Sequence, residues 1–276
     1  MRAVHYLDAG GGARLGALRD STVRDAGPAG PQGFVPTEES WAALDAASGP
    51  EHALGDLRLL APVRPATIAA IGLNYRSHAD ESELDVPDVP VVFAKWASAV
   101  IGPDDEIVIP REETRPDYEG ELAVVIGRRA YRADRASALD AIGGITAIND
   151  VSGRRAQLET PLRQFTLGKS FDTFAPLGPC IASLDGIDLA DIQVSTNVSG
   201  ELMQDASTRD LIFPVLDLIV YLSAGVTLEP GDVIATGTPG GVGDSRQPPR
   251  YLREGDVVEV TVGGVGTLRN RVRLES

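Results

Sequence analysis

The chain is poor in cysteine, histidine, lysine and aromatic residues. One cysteine in 276 residues, Cys180, excludes an internal disulfide. It lies in Leu177-Gly178-Pro179-Cys180-Ile181 with no histidine nearby, so it reads as a small core residue rather than a nucleophile. With three histidines in all and no Cys/His cluster, a zinc site is not expected. No G-x-S-x-G occurs, which removes the serine-hydrolase reading. No apolar run approaches the ~20 residues of a membrane span. Positive charge is short as well. There are 25 Lys+Arg against 40 Asp+Glu, a net charge of −15, which speaks against nucleic acid or an anionic membrane as partner. An anionic substrate must be drawn in by local cations against this global field.

What is present is a globular chain with 43% hydrophobic residues, long enough for a sizeable core. Met1–Leu7 reads as a strand rather than a signal peptide, so the cytoplasm is expected. Residues 1–65 are read as a small N-terminal α/β domain. It has strands at Arg2–Leu7 and Ala13–Leu18, a Gly/Pro loop at Gly27–Gly33, and a helix from Glu38 to Ala47 capped by Thr37. Leu59–Pro65 reads as a linker. Residues 66–276 are read as the catalytic domain. Strands are expected at Thr67–Gly72, Val91–Ala94, Glu121–Gly127, Gly144–Ile148, Val194–Val198, Glu201–Asp205, Asp232–Thr236 and Val257–Val262. Ser199-Gly200 joins two of them as a hairpin. Helices are expected at Arg135–Ile142 and at Val215–Ser223 behind Pro214. Strands and helices do not alternate, so a doubly wound sheet is not expected.

Asp117-Tyr118-Glu119-Gly120-Glu121 runs directly into the apolar stretch Leu122–Gly127. Residues two apart on a strand face the same side, so Glu119 and Glu121 point together and need a neutralising charge. Gly144–Ile148 ends at Asn149-Asp150 and offers a third carboxylate. Three oxygen ligands on rigid strands suit a hard divalent cation, Mg²⁺ or Mn²⁺. Only two lysines occur, Lys95 and Lys169, where arginine serves nearly everywhere else. A lysine is a compact charge with a tunable pKa, and an arginine is a wide fixed fork. Lys169, in Leu167-Gly168-Lys169-Ser170-Phe171, is read as functional; Lys95 is left open between function and chance. Gly168-Lys169-Ser170 is not a P-loop, because Arg163 stands where that motif needs glycine. A short helix over 76–83 puts His78 and Glu81 on one face, where a carboxylate orients an imidazole as a general base. The acidic stretch that follows, to Pro90, is read as a lid over substrate.

Five segments, in order, resemble the fumarylacetoacetate hydrolase superfamily. They are Asn74-Tyr75-x-x-His78-x-x-Glu81, Asp117–Gly127, Asn149-Asp150-Val151-Ser152, Gly168-Lys169-Ser170-Phe171-Asp172, and Thr236-Gly237-Thr238-Pro239-x-Gly241-Val242-Gly243. They cover roughly residues 66 to 262. The resemblance implies a mixed β roll, α+β and mainly β, usually dimeric, with a Mg²⁺, Mn²⁺ or Ca²⁺ site. Its members include acylpyruvate and fumarylpyruvate hydrolases, oxaloacetate decarboxylases and isomerases of hydroxymuconate-type diacids.

Carried onto this chain, the resemblance makes Glu119, Glu121 and Asp150 metal ligands. It makes His78, Glu81 and Lys169 catalytic, and Arg76, Arg154, Gln157, Gly237 and Thr238 substrate contacts. The chain departs from the pattern at Gly153-Arg154-Arg155-Ala156, where Arg155 adds a cation, and at Trp96, where many members have proline. The expected function is a divalent-metal-dependent hydrolase that cleaves a C–C bond of a 2,4-dioxo acid through an enolate held at the metal, with His78 and Glu81 activating water. The alternatives are decarboxylation of oxaloacetate-like acids, isomerisation or tautomerisation of hydroxymuconate-type diacids, and a non-catalytic metal-binding member. The expected partner is a small anionic 2-oxo acid, and the expected assembly a homodimer.

Overall fold

Strands far outnumber helices in the computed structural model, which describes residues 1–276, and the fold is α+β and mainly β. The strands up to the apolar run are β1 (Arg2–Leu7), β2 (Ala13–Arg19), β3 (Thr22–Pro28), β4 (Glu51–Ala53), β5 (Arg58–Leu60), β6 (Ile68–Gly72), β7 (Val91–Lys95), β8 (Val100–Ile101), β9 (Glu106–Ile109), β10 (Pro116–Asp117) and β11 (Gly120–Ile126). After it come β12 (Ile142–Asn149), β13 (Ser152–Gly153), β14 (Ala175–Ala182), β15 (Gln193–Val198), β16 (Glu201–Ser207), β17 (Val233–Ala235), β18 (Val257–Val262) and β19 (Gly266–Leu274). The helices are α1 (Glu38–Asp45), α2 (Arg76–Glu81), α3 (Arg135–Ala141), α4 (Arg154–Leu158), α5 (Phe165–Gly168) and α6 (Val215–Ser223).

A twelve-stranded sheet runs β4-β3-β2-β1-β14-β12-β11-β17-β6-β7, with β5 also on β1 and β8 on β14. A five-stranded sheet runs β16-β15-β18-β19-β9. Leu122, Val124 and Ile126 of β11 belong to one core cluster with Val194, Val258, Val260 and Leu268 of the smaller sheet. Ala123 and Val125 point the other way, into a cluster with Phe34, Leu44, Ile148 and Val233. Burial on both faces is why β11 reads as an unbroken apolar run rather than an alternating one. The two sheets approach closely at the head of β11: a Cβ on Gly120 would sit 2.0 Å from Thr196 Oγ1, so only glycine fits there.

Most expected elements form. Val215–Ser223 is helical throughout, and Val257–Val262 is a strand over its whole expected length. Thr37 caps α1, its side chain accepting from Ser40 N at 3.2 Å. Ser199 (φ 53°) and Gly200 (φ 87°) are both left-handed, as a two-residue hairpin turn requires. Leu59-Leu60, expected in a linker, instead pair with β1 as part of β5. β3, β4, β8, β9, β10, β13, β14 and β19 also lie outside the expected set. β14 is a central strand despite Gly178 and Pro179, a pair that reads as a turn in sequence. β19 turns Leu268, Asn270 and Val272 inward, and the buried Asn270 amide, which donates to the carbonyls of Gly102 and Asp105, interrupts the apolar alternation. Cys180 is buried in β14, and burial pushes its thiol up to about 12, in keeping with an inert core residue. No helix is long and apolar enough to cross a membrane.

Candidate active site

β11 and β12 pair antiparallel with Gly120 opposite Asn149 and Glu121 opposite Ile148. One step further, Asp150 N donates to the Glu119 carbonyl at 2.7 Å. Directly opposed residues share a face, so this register gathers Glu119, Glu121 and Asp150. Their ligand atoms lie within 4.8 Å of one another, and all three residues are buried.

Two lysines and an arginine surround the acids. Lys169 Nζ donates to Glu119 Oε2 (2.8 Å) and Asp150 Oδ2 (2.6 Å). Lys95 Nζ donates to Asp150 Oδ1 (2.6 Å) and to the Lys169 carbonyl. Arg154 joins Glu119 (2.6 Å) to Asp117 (2.8 Å), and its Nη1 donates to Gln157 Oε1 at 3.0 Å. Lys95, left open from sequence, is thus a buried member of the cluster. Burial opposes ionisation of Glu119, but Lys169 and Arg154 outweigh it and hold the carboxyl well below its usual range. Lys169 rises above its usual value because Asp150 and Glu119 more than reverse the effect of burial. Lys95 falls, since burial outweighs its attraction to Asp150.

Glu121 is the exception. Its side chain takes a single hydrogen bond, from Gly237 N at 2.8 Å, and no ion pair. Burial and the charges of Asp150 and Glu119 push its pKa well above the carboxylate range. Four buried carboxylates, counting Asp117, face three buried cations, and the surplus negative charge falls on Glu121. A hard divalent cation suits this donor set: all-oxygen, clustered, and one charge short of neutral. Glu119, Glu121 and Asp150 are the residues that could hold it.

A cavity of about 510 Å³ opens beside this cluster and is lined in part by Glu119, Arg154, Gln157, Lys169 and Thr238. His78 and Glu81 line it from α2. His78 Nδ1 lies 2.7 Å from Glu81 Oε1, and Glu81 Oε2 accepts from Gly241 N at 2.6 Å. Ser77 Oγ accepts from Gly240 N at 3.1 Å, so α2 is docked on the glycine turn that carries Thr238. Thr238 Oγ1 donates to the Gly120 carbonyl (3.1 Å) and accepts from Gln204 Nε2 (2.7 Å). Gly237, with φ +102° and a would-be Cβ 2.6 Å from Asn74 Cβ, has to be glycine to aim its N–H at Glu121.

Arg76, expected at the substrate, is exposed and outside the cavity lining. Gly237 serves Glu121 rather than the open cavity. Arg155 turns away to the Glu112 carbonyl and to Glu159, and Trp96 is largely exposed. Several residues took no role in the sequence reading. Asn74 ties the start of α2 to the Thr236 carbonyl (2.7 Å) and to Phe213 N (2.8 Å). Asp117 accepts from Gly243 N (2.7 Å) and Asp244 N (3.0 Å) besides holding Arg154. Glu113 accepts from Arg155 N and Ala156 N, each at 3.1 Å, and so anchors α4 and with it Arg154. Asp117 and Asn74 lay inside quoted motifs; Glu113 carried no signal.

Residues 67–273 match the family described as fumarylacetoacetate (FAA) hydrolase, C-terminal. The chain belongs to this family. It is 42% identical over 219 residues to the mitochondrial oxaloacetate tautomerase FAHD2B of Bos taurus, covering 79% of this chain and 70% of that protein. Among solved structures it resembles 5-carboxymethyl-2-hydroxymuconate delta-isomerase from Mycobacterium smegmatis, with a TM-score of 0.83, 34% identity and full coverage of both chains. It also resembles a fumarylacetoacetate hydrolase from Exiguobacterium antarcticum, with a TM-score of 0.83, 37% identity and full coverage of both. These family relatives are named as a tautomerase, an isomerase and a hydrolase.

Proposed function

We propose that this protein is a divalent-cation-dependent enzyme that moves a proton between carbon and oxygen of a small 2-oxo acid. The observation that carries this reading is Glu121, a buried carboxylate without a cationic partner beside two others. When bound, the cation supplies a Lewis acid for the substrate's carboxylate and 2-oxo oxygens. Glu119, Glu121 and Asp150 hold it, and Mg²⁺ or Mn²⁺ fits their chemistry. Lys95 and Lys169 hold two of the three acids in place through ion pairs. Arg154 does the same for Glu119 from the other side and carries Gln157 with it.

His78 is the proton carrier. With Glu81 as acceptor, Nδ1 keeps its hydrogen, and Nε2 is left as the base. Nε2 takes a proton from the substrate carbon next to the 2-oxo group; the electron pair moves into a C=C bond and charge gathers on that oxygen. The imidazolium then gives that proton to the 2-oxo oxygen to complete the enol, and the reverse sequence returns it to carbon. Glu81 sets the ring's angle and steadies the imidazolium, while its bond from Gly241 N ties α2 to the glycine turn. The likeness to an oxaloacetate tautomerase and a hydroxymuconate isomerase favours proton transfer as the whole reaction.

A second reading is C–C hydrolysis of a 2,4-dioxo acid. The same His78–Glu81 pair favours it, because a base so oriented also activates water. One assay separates the two. Oxaloacetate enol-to-keto conversion and acetylpyruvate cleavage are followed in parallel, with Mg²⁺ and with a chelator. Metal-dependent conversion of oxaloacetate without cleavage supports the proposal. Cleavage as the faster reaction supports the hydrolase, and neither reaction at saturating Mg²⁺ sinks both.

A further inference from the structure

Three cationic side chains, Arg154, Arg163 and Lys169, line the cavity, and two of them are spent. Lys169 is bound to Glu119 and Asp150, and Arg154 to Asp117 and Glu119. Arg163 makes no ion pair, and its side chain takes part in no hydrogen bond with the protein. Its backbone is fixed all the same. Arg163 N donates to the Thr160 carbonyl (2.9 Å) and Gln164 N to the Gln157 carbonyl (2.8 Å), with Arg163 itself at φ 50°. This turn between α4 and α5 places a free guanidinium at the cavity of a strongly acidic protein.

Two aromatic rings, Phe93 and Phe165, line the same cavity. Lys169 Nζ lies 5.0 Å from the centroid of the Phe93 ring. The Phe93 and Phe165 rings are 5.8 Å apart, and Phe165 follows Arg163 by two residues. The cavity lining therefore combines the ion-paired Lys169 and Arg154, two aromatic rings and the exposed, unpaired guanidinium of Arg163.

We propose that Arg163 binds the second carboxylate of a 2-oxo diacid whose two ends are separated by a flat, unsaturated carbon chain lying against Phe93 and Phe165. This rests on the 2-oxo acid reading above and narrows it. A guanidinium meets a carboxylate through two parallel hydrogen bonds, and a neutral end group would leave it unpaired. Arg163 is then the residue that sets specificity for the far end of the substrate. A rival role exists on the page. Glu83 lines the same cavity from the segment after α2 and also makes no ion pair, so the two could latch a closing lid.

The test compares fumarylpyruvate with the same 2,4-dioxo acid ending in methyl instead of carboxylate, both followed by loss of enol absorbance with Mg²⁺ present. The wild-type protein should favour the diacid. Arg163→Gln should lower kcat/KM for the diacid about 10- to 100-fold, mainly through KM, and alter the monoacid less than about threefold. Arg163→Lys should recover part of the loss. Equal loss on both acids, no loss on either, or Glu83→Gln reproducing the diacid defect would each overturn the proposal. Turnover of oxaloacetate but of neither longer acid overturns it while leaving the 2-oxo acid reading intact. Failure on all three acids overturns both.

Discussion

Asp150 N donates to the Glu119 carbonyl at 2.7 Å, one step beyond the last paired residues of β11 and β12. That single backbone bond makes two residues thirty-one positions apart in sequence neighbours at one end of the sheet. It sets Glu119 and Asp150 where one ammonium, Lys169 Nζ, reaches both. Glu121 shares their face but not their partner, and this asymmetry has measurable consequences.

The three candidate ligands should not respond alike to substitution. Glu121→Gln replaces a buried carboxyl whose ionised form its neighbours repel, so the metal-free protein should keep its fold and lose no stability. Glu119→Ala or Asp150→Ala strands buried cations, and each should cost about 3–5 kcal/mol of stability. All three should abolish Mg²⁺ binding by titration calorimetry. A Glu121→Gln protein that binds Mg²⁺ as the wild type does would remove Glu121 from the site.

His78→Ala should lower kcat about 10²- to 10⁴-fold, the usual contribution of a positioned acid–base group. Mg²⁺ affinity should stay within about twofold, because His78 bonds Glu81 and none of the three acids. Glu81→Gln should lose less activity but also loosen α2, since the amide keeps only one of the two acceptor oxygens that hold His78 and Gly241. Faster proteolysis between residues 76 and 90 in Glu81→Gln, and not in His78→Ala, would be the signature; equal rates in both would contradict it.

Far from the site, Asp25 should control acid stability. Arg14 donates to both of its oxygens, at 2.6 Å to Oδ1, and Tyr6 donates to Oδ2 as well, which pulls its pKa down to about 2 although burial works against this. The unfolded value is about 3.9. A carboxyl with a depressed folded pKa stabilises fully above the unfolded value and loses that contribution as pH falls through the folded one. Asp25→Asn should therefore cost about 2 kcal/mol at pH 7, with the gap to wild type closing between pH 4 and pH 2. Urea titrations at pH 7, 4 and 2.5 measure this, and a gap that stays constant would show that the charge is not the source.

The candidate site was legible in part because its pairs are local. Glu119 and Glu121 share a strand, and His78 and Glu81 share one turn of helix, so spacing alone puts each pair on one face. The scarcity of lysine marked both Lys95 and Lys169, and both prove to be buried against Asp150. Where reading failed, the cause lay in contacts distant in sequence. Arg76 sits inside a motif, yet the start of α2 turns it to solvent while Ala79 faces inward. Arg155 looked like an added charge at the site, but the Glu113 anchor orients α4 so that Arg154 points in and Arg155 out.

By itself the sequence determined the mainly-β character, the boundaries of α6 and β18, the family, and the three carboxylates that can hold a cation. Those follow from periodicity, capping and motif order, each a property of a few neighbouring residues. Only the tertiary structure decided which carboxylate goes without a partner, that β14 runs through the middle of the large sheet, and that the unpaired Arg163 lines one cavity with Phe93 and Phe165. These depend on pairing and packing between segments far apart in the chain, where the energy of an ion pair or a buried ring belongs to the assembled neighbourhood and to no stretch of sequence alone.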